Sequence, residues 1–152
     1  MNIKSDVAGN GSPDPVKIAL DTNVFIYLLE DIEPSASKVE KLLNSFMKGE
    51  NEGVISTINL AEILSGFYLT ENQQGATKTK DLLKDLTISN FEIIPVTVEI
   101  ADLGAKLRAK RGGKLPDALV AATAINMKAE FIYSQDKDMK RYEKDIKISE
   151  IT

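Results

Sequence analysis

VKIALD at positions 16–21, followed at once by TNVFIYLLE at 22–30, reads as a short buried strand that ends on an acid and turns into a helix. The pattern then recurs along the chain. GVIST (53–57) is short and β-branched and leads into the helical NLAEILSGFYL (59–69), and FEIIPV (91–96) leads into VEIADLGAKLRAKRGG (98–113), closed by two glycines. FIYS (131–134) and DIKISEI (145–151) supply two further strands, while SASKVEKLLNSFMKG (35–49) and QQGATKTKDLLKDL (73–86) supply helices without a strand of their own. LPDALVAATAINMKAE (115–130) opens with Pro116 in its first turn and is apolar nearly all round, the mark of a helix buried between layers. Strands alternating with helices, and no hairpin signals, predict a three-layer α/β/α fold with a mainly parallel central sheet.

The 152 residues are enough for one domain that buries its own core. Residues 1–16, rich in Asn, Gly, Ser, Asp and Pro, read as a flexible N-terminal leader, and residues 17–152 as the folded domain. Hydrophobic residues make up 43% and charged residues 28%, and no apolar run approaches the ~20 residues that span a bilayer, so a soluble chain with no membrane partner is expected. The N-terminus lacks the apolar core of a signal peptide, which makes the cytoplasm the expected location.

The chain has neither Cys nor His. Ser-His-Asp and Cys-His catalysis are thereby excluded, as are the usual Cys and His zinc sites. What remains is carboxylate chemistry, whose hard oxygen ligands suit Mg²⁺ or Mn²⁺.

Four acids stand where strands end and helices begin, the region in which open α/β sheets bind ligands. Asp21 ends the first strand and could equally cap the next helix. Glu62 could form a capping box with Asn59, although its apolar neighbours Leu60, Ala61, Ile63 and Leu64 would leave a buried carboxylate in need of a partner. Asp117 heads the apolar helix, where it complements the helix dipole. Asp136 follows the FIYS strand as a turn former would, with Asp138 either an outer member of the cluster or a solvated charge. Gathered at one end of one sheet, these acids could not share a pocket unpaired: two like charges about 4 Å apart repel by roughly 4 kcal/mol at an effective dielectric near 20.

Lys106, Arg108, Lys110, Arg111 and Lys114 form a basic run with no acid among them, just before Asp117, in a chain whose net charge is −4. Such a run either guides a phosphate backbone or is a solvated helix face. Tyr27, Phe67 and Tyr68 read as core or groove residues without a recognition role.

The same residues carry a resemblance to the PIN-domain family, and especially to its VapC-like toxin ribonucleases. IALDTNVFIYLLE resembles the opening segment of the family and supplies Asp21, with Thr22 and Asn23 beside it. STINLAEILSG supplies Glu62, LPDALVAATAI supplies Asp117, and FIYSQDKDM supplies Asp136 with Asp138 close by. The resemblance runs from about Lys17 to the C-terminus. It departs from the family pattern at Ser134 and Gln135, where Thr and Asn are common, and at Met139, where an aromatic is usual.

The resemblance implies a Mg²⁺- or Mn²⁺-dependent endoribonuclease with Asp21, Glu62, Asp117 and Asp136 as catalytic and metal-holding acids and Thr22, Asn23 and Asp138 in support. It further implies an RNA substrate guided by the basic run, a homodimer, and a small antitoxin partner. The rival readings are a PIN nuclease of RNA processing that has no antitoxin, a PIN-fold binding module without catalysis, and a metal-dependent phosphatase.

Overall fold

The fold was obtained as a computed structural model, which describes residues 14–151; residues 1–13, most of the expected leader, lie outside that range. Five strands form one sheet: β1 (Val16–Leu20), β2 (Asn51–Ser56), β3 (Phe91–Ile94), β4 (Phe131–Tyr133) and β5 (Lys147–Ser149). Their order is β3-β2-β1-β4-β5, and every neighbouring pair is parallel, so the sheet is wholly rather than mainly parallel. The chain builds outward from β1 to β3, then returns to the other side of β1 for β4 and β5. The carboxyl end of β1 is therefore the switch point of the sheet, where neighbouring connections leave in opposite directions and open a crevice.

Six α-helices, α1 (Thr22–Leu29), α2 (Ser35–Met47), α3 (Thr57–Leu69), α4 (Gln73–Leu86), α5 (Val98–Arg111) and α6 (Leu115–Asn126), together with a 3-10 helix over Lys137–Tyr142, complete the described residues. The segment QDKDM, expected to be a loop, thus lies largely in helical turns, with Met139 wholly buried beneath them.

Side chains on a strand alternate between the two faces of the sheet, and the two cores show that alternation residue by residue. Ile18 and Leu20 of β1, Ile55 of β2 and Phe91 of β3 point into a core formed with α1 to α4, including Phe25, Phe46 and Leu83. Ala19, Val54, Ile94 and Ile132 point the other way, into a core formed with α5, α6 and the 3-10 helix. α6 can lie flat on the sheet because its buried face is built mostly from small residues, Ala118, Ala121, Ala122 and Ala124, with Val120 and Thr123.

α5 packs closely against α6 because Gly104 lacks a Cβ; one placed there would sit 2.7 Å from Cδ2 of Leu119. The α5–α6 turn then needs two residues with positive φ, Gly112 at 78° and Gly113 at 87°, the region that L side chains rarely enter. Of the three aromatics read as core or groove, Phe67 is buried, Tyr27 packs at the edge of the first core, and Tyr68 is nearly half exposed.

Candidate metal centre

The strand alternation that sorts the cores also places the site. Asp21 and Ser134 each lie two residues beyond Ala19 and Ile132, so both carry their side chains toward the α6 side of the sheet. Pairing of Leu20 with Tyr133, followed by a hydrogen bond from Asp21 N to Tyr133 O at 3.0 Å, sets Asp21 beside Ser134.

Asp21 is buried and tightly held. Its Oδ1 accepts from Thr22 N at 2.9 Å and from Asn59 Nδ2 at 3.1 Å, and its Oδ2 accepts from Ser134 Oγ at 2.6 Å. The bond from Thr22 N is an N-terminal helix cap, so the capping role and the site role coexist in one carboxylate. Burial raises the pKa of Asp21, as does repulsion from Asp136, while the donors from Ser134, Thr22 and Asn59 oppose the rise.

Glu62 differs from expectation in two respects. Its side chain is exposed, so burial does not demand a partner for it. Nor does it take part in a capping box with Asn59. The box joins Ser56, whose Oγ accepts from Ile58 N at 3.0 Å, to Asn59, whose Oδ1 accepts from Ser56 N at 3.3 Å. The register of the box is set by where β2 ends, three residues earlier than the Asn59–Glu62 reading assumed. Glu62 is free of capping, and its Oε1 accepts from Thr22 Oγ1 at 2.6 Å.

Asp117, in the first turn of α6, is the most crowded acid. Its pKa is pushed up to about 6, first by partial burial and then by repulsion from Asp136, Asp21, Glu62 and Asp138. All four expected acids, with Asp138, therefore face one another electrostatically. One carboxylate oxygen from each of Asp117, Asp136 and Asp138 lies within 4.8 Å of the others. Asp21 and Glu62 stand outside that tight group. Asp138 comes inward because Asp136 Oδ1 accepts from Asp138 N at 2.9 Å, which starts the 3-10 helix and folds the two acids to the same side.

Among the described residues no Lys or Arg forms an ion pair with Asp21, Glu62, Asp117 or Asp136, and Asp138 meets Arg141 only at 3.9 Å. Crowded hard oxygens whose one ion pair among the described residues is this long contact fit a divalent ion such as Mg²⁺ or Mn²⁺ and do not fit a soft metal. The donor set is all oxygen.

The supporting residues divide. Thr22 bonds Glu62, whereas Asn23 Oδ1 accepts from Gln135 N at 3.2 Å and makes no bond to Asp21. Ser134 and Gln135 also have defined work: Ser134 grips Asp21, and Gln135 Oε1 accepts from Ile151 N at 2.6 Å, which ties the C-terminal segment to the site. Asn59 and Ser134 are the two site residues whose contacts sequence reasoning did not assign. Strand alternation through Ile132 would have found Ser134.

The basic run is not one surface. Arg111 makes a two-pronged bond to Asp145, at 2.9 and 3.1 Å, and that bond holds the Asp145 carboxyl below its usual range. Arg108 Nε donates to Gly113 O at 3.1 Å, bracing the α5–α6 turn, and Lys106 pairs with Asp102 at 3.0 Å. Lys110 and Lys114 form no ion pair among the described residues. A cavity of about 720 Å³ between α1 and α4, floored by Leu28, Leu29 and Leu82, contains none of the site acids.

Residues 18–145 match the PIN domain family. No curated protein matches the chain. Solved structures similar to it include VapBC2 from Rickettsia felis bound to a promoter DNA fragment, with 22% identity, a TM-score of 0.70, and coverage of 90% of this chain and 100% of that one. FitAcB from Neisseria gonorrhoeae is similar at 21% identity and TM-score 0.63, over 86% of this chain and 95% of that one. VapC20 from Mycobacterium tuberculosis, described as a sarcin-ricin loop cleaving toxin, is similar at 16% identity and TM-score 0.63, over 81% and 92% of the two chains. At these identities the likeness is one of fold.

Proposed function

This chain belongs to the PIN-domain family, whose members are typically metal-dependent nucleases, and from that premise we propose that it is a Mg²⁺- or Mn²⁺-dependent endoribonuclease acting as the toxin of a toxin–antitoxin pair. The observation that carries the proposal is the meeting of Asp21, Glu62, Asp117, Asp136 and Asp138 beyond the carboxyl ends of the central strands, with Asp117 pushed up to about 6 by burial and by its neighbours.

Asp117, Asp136 and Asp138 would hold the ion between them, and Asp21 and Glu62 would complete its carboxylate shell. When bound, the cation would neutralise charge at the phosphoryl group and make a water that it holds more acidic. The protein's own part is positional. Ser134, Asn59 and the Thr22 backbone fix the plane of Asp21, and the Thr22 hydroxyl fixes one oxygen of Glu62. Asp117 must be ionised to contribute, which its partly buried and crowded carboxyl achieves only above about pH 6 in the absence of an opposing charge. Among the described residues the one ion pair to these acids is that of Arg141 with Asp138 at 3.9 Å, and a guanidinium stays protonated, so proton removal falls to ionised carboxylates and solvent.

Guidance of RNA falls to Lys110 and Lys114, with Arg108 at the turn beside them; Arg111 is committed to Asp145 and Lys106 is half neutralised by Asp102. Self-association into a homodimer and capture by a small antitoxin belong to the same proposal. Its support is the similarity to chains solved as VapBC and toxin–antitoxin assemblies.

The test is cleavage of an end-labelled mixed RNA pool by the purified chain with Mg²⁺, with Mn²⁺ and with EDTA. Cutting that requires the ion and disappears in Asp21→Ala is expected. Cutting that survives EDTA, or no cutting with either ion, would contradict the proposal.

A further inference from the structure

Asn59 lies on the first turn of α3 and is wholly buried, with its side-chain oxygen and both amide hydrogens engaged. Its Oδ1 accepts from Ser56 N at 3.3 Å, and its Nδ2 donates to Asp21 Oδ1 at 3.1 Å and to Thr22 Oγ1 at 3.1 Å. The amide can sit only one way round. Flipped, it would aim its oxygen at the Asp21 carboxylate and its NH₂ at the Ser56 N–H, setting acceptor against acceptor and donor against donor.

That fixed orientation passes to the next group. A threonine hydroxyl has one proton to give, and Thr22 Oγ1 is already receiving a hydrogen bond from Asn59, so its own proton goes to Glu62 Oε1 at 2.6 Å. One buried amide thus touches the first acid directly and the second through a single hydroxyl, across sequence separations of 38 and 37 residues.

Capping α3 accounts for only the oxygen of this side chain. The cap uses Oδ1 alone, and both N–H groups are surplus to it. They are spent on the site.

We infer that Asn59 is a positioning residue that sets Asp21 and Glu62 for cation binding, acting on Asp21 through its own amide and on Glu62 through Thr22. The inference rests on the metal-dependent reading above. Its logic is that of any ligand held by an outer partner: once the carboxylate is free to rotate, binding the ion must also order it, and loss of such partners weakens metal affinity by about 10- to 100-fold.

The two roles of Asn59 separate by experiment. Ser56→Ala removes the other half of the cap and leaves the donors of Asn59 in place, whereas Asn59→Ala removes both. Mn²⁺ would be titrated calorimetrically into the full chain and into each variant, with folding checked by circular dichroism at the same temperature. Asn59→Ala is expected to bind Mn²⁺ at least about 10-fold more weakly than the unaltered chain, and Ser56→Ala to match the unaltered chain while melting earlier. Should Asn59→Ala not fold, Thr22→Val, at a partly exposed position, breaks the same path to Glu62 and is expected to weaken Mn²⁺ binding. Unchanged affinity in Asn59→Ala, or in Thr22→Val where that variant stands in, would overturn the inference. Equal weakening in Ser56→Ala and Asn59→Ala would overturn it as well, by reducing Asn59 to a cap. Absence of Mn²⁺ binding by the unaltered chain would instead overturn the functional reading on which the inference rests.

Discussion

Asp21 and Asp117 face the same space at the carboxyl end of the sheet, yet the two halves of the site are built on different physics. Asp21 is buried and holds three donors on its two oxygens, so its position is set by hydrogen bonds whether or not a cation is present. Asp117 sits among Asp136 and Asp138 with oxygens within 4.8 Å of one another, and its pKa is pushed up to about 6 by burial and by its neighbours' charge. One half is positioned in advance by the protein. The other holds stored repulsion that a divalent ion would relieve. The difference teaches that removing a charge should have opposite consequences for stability in the two halves, even where the consequences for cleavage agree.

The largest expected effect tests that directly. Asp117→Asn and Asp21→Asn should each lower the rate of metal-dependent RNA cleavage by about 100-fold or more, a loss of about 2.7 kcal/mol of transition-state stabilisation. In thermal melts without metal, Asp117→Asn should be more stable than the unaltered chain, because a repelling charge has gone. Asp21→Asn should be less stable by about 1 to 3 kcal/mol, because its new NH₂ replaces one of the two accepting oxygens and faces either the Ser134 hydroxyl or the donors of Thr22 and Asn59, so that a buried hydrogen bond is lost. Stability changes of the same sign in the two variants would break the comparison.

A smaller effect follows from pH. The Asp117 carboxyl takes up its proton near 6 in the folded chain against 3.8 ordinarily, so between those values the folded state holds more protons than the unfolded one. Its contribution therefore makes the metal-free chain more stable as pH falls from 7 toward 4, and less stable as pH rises through 6. Denaturant melts at several pH values should show this slope, and Asp117→Asn should flatten it. With saturating Mn²⁺ the Asp117 slope should disappear near pH 6, since the ion would hold the carboxyl ionised in the folded chain as it already is in the unfolded one. An Asp117 contribution with the same slope in both conditions would mean that the ion does not bind there.

The parts of this account differ in how far they could be read from sequence, and the reasons are local. VKIALD and LPDALVAATAI state their structure within a few residues, because strand alternation and a small-residue helix face are short-range patterns, and they deliver Asp21 and Asp117 directly. Asn59 was visible only as a capping residue, since the same side chain satisfies a helix cap and a carboxylate, and nothing local reveals the second use. Its pairing with Glu62 was misread because the end of β2 fixes which residue caps, and that boundary lies at Ser56. The inward position of Asp138 depends on a 3-10 turn whose stability comes from burying Met139 and Tyr142, a tertiary effect. Arg111 looked like part of a basic run because its partner, Asp145, lies 34 residues away in sequence.

The most direct test of the central claim is an anomalous difference map from crystals of the chain grown or soaked with Mn²⁺. The account predicts a peak within carboxylate bonding distance of Asp117, Asp136 and Asp138. A map with no peak among those three acids at saturating Mn²⁺, or with the ion bound only elsewhere, would contradict it.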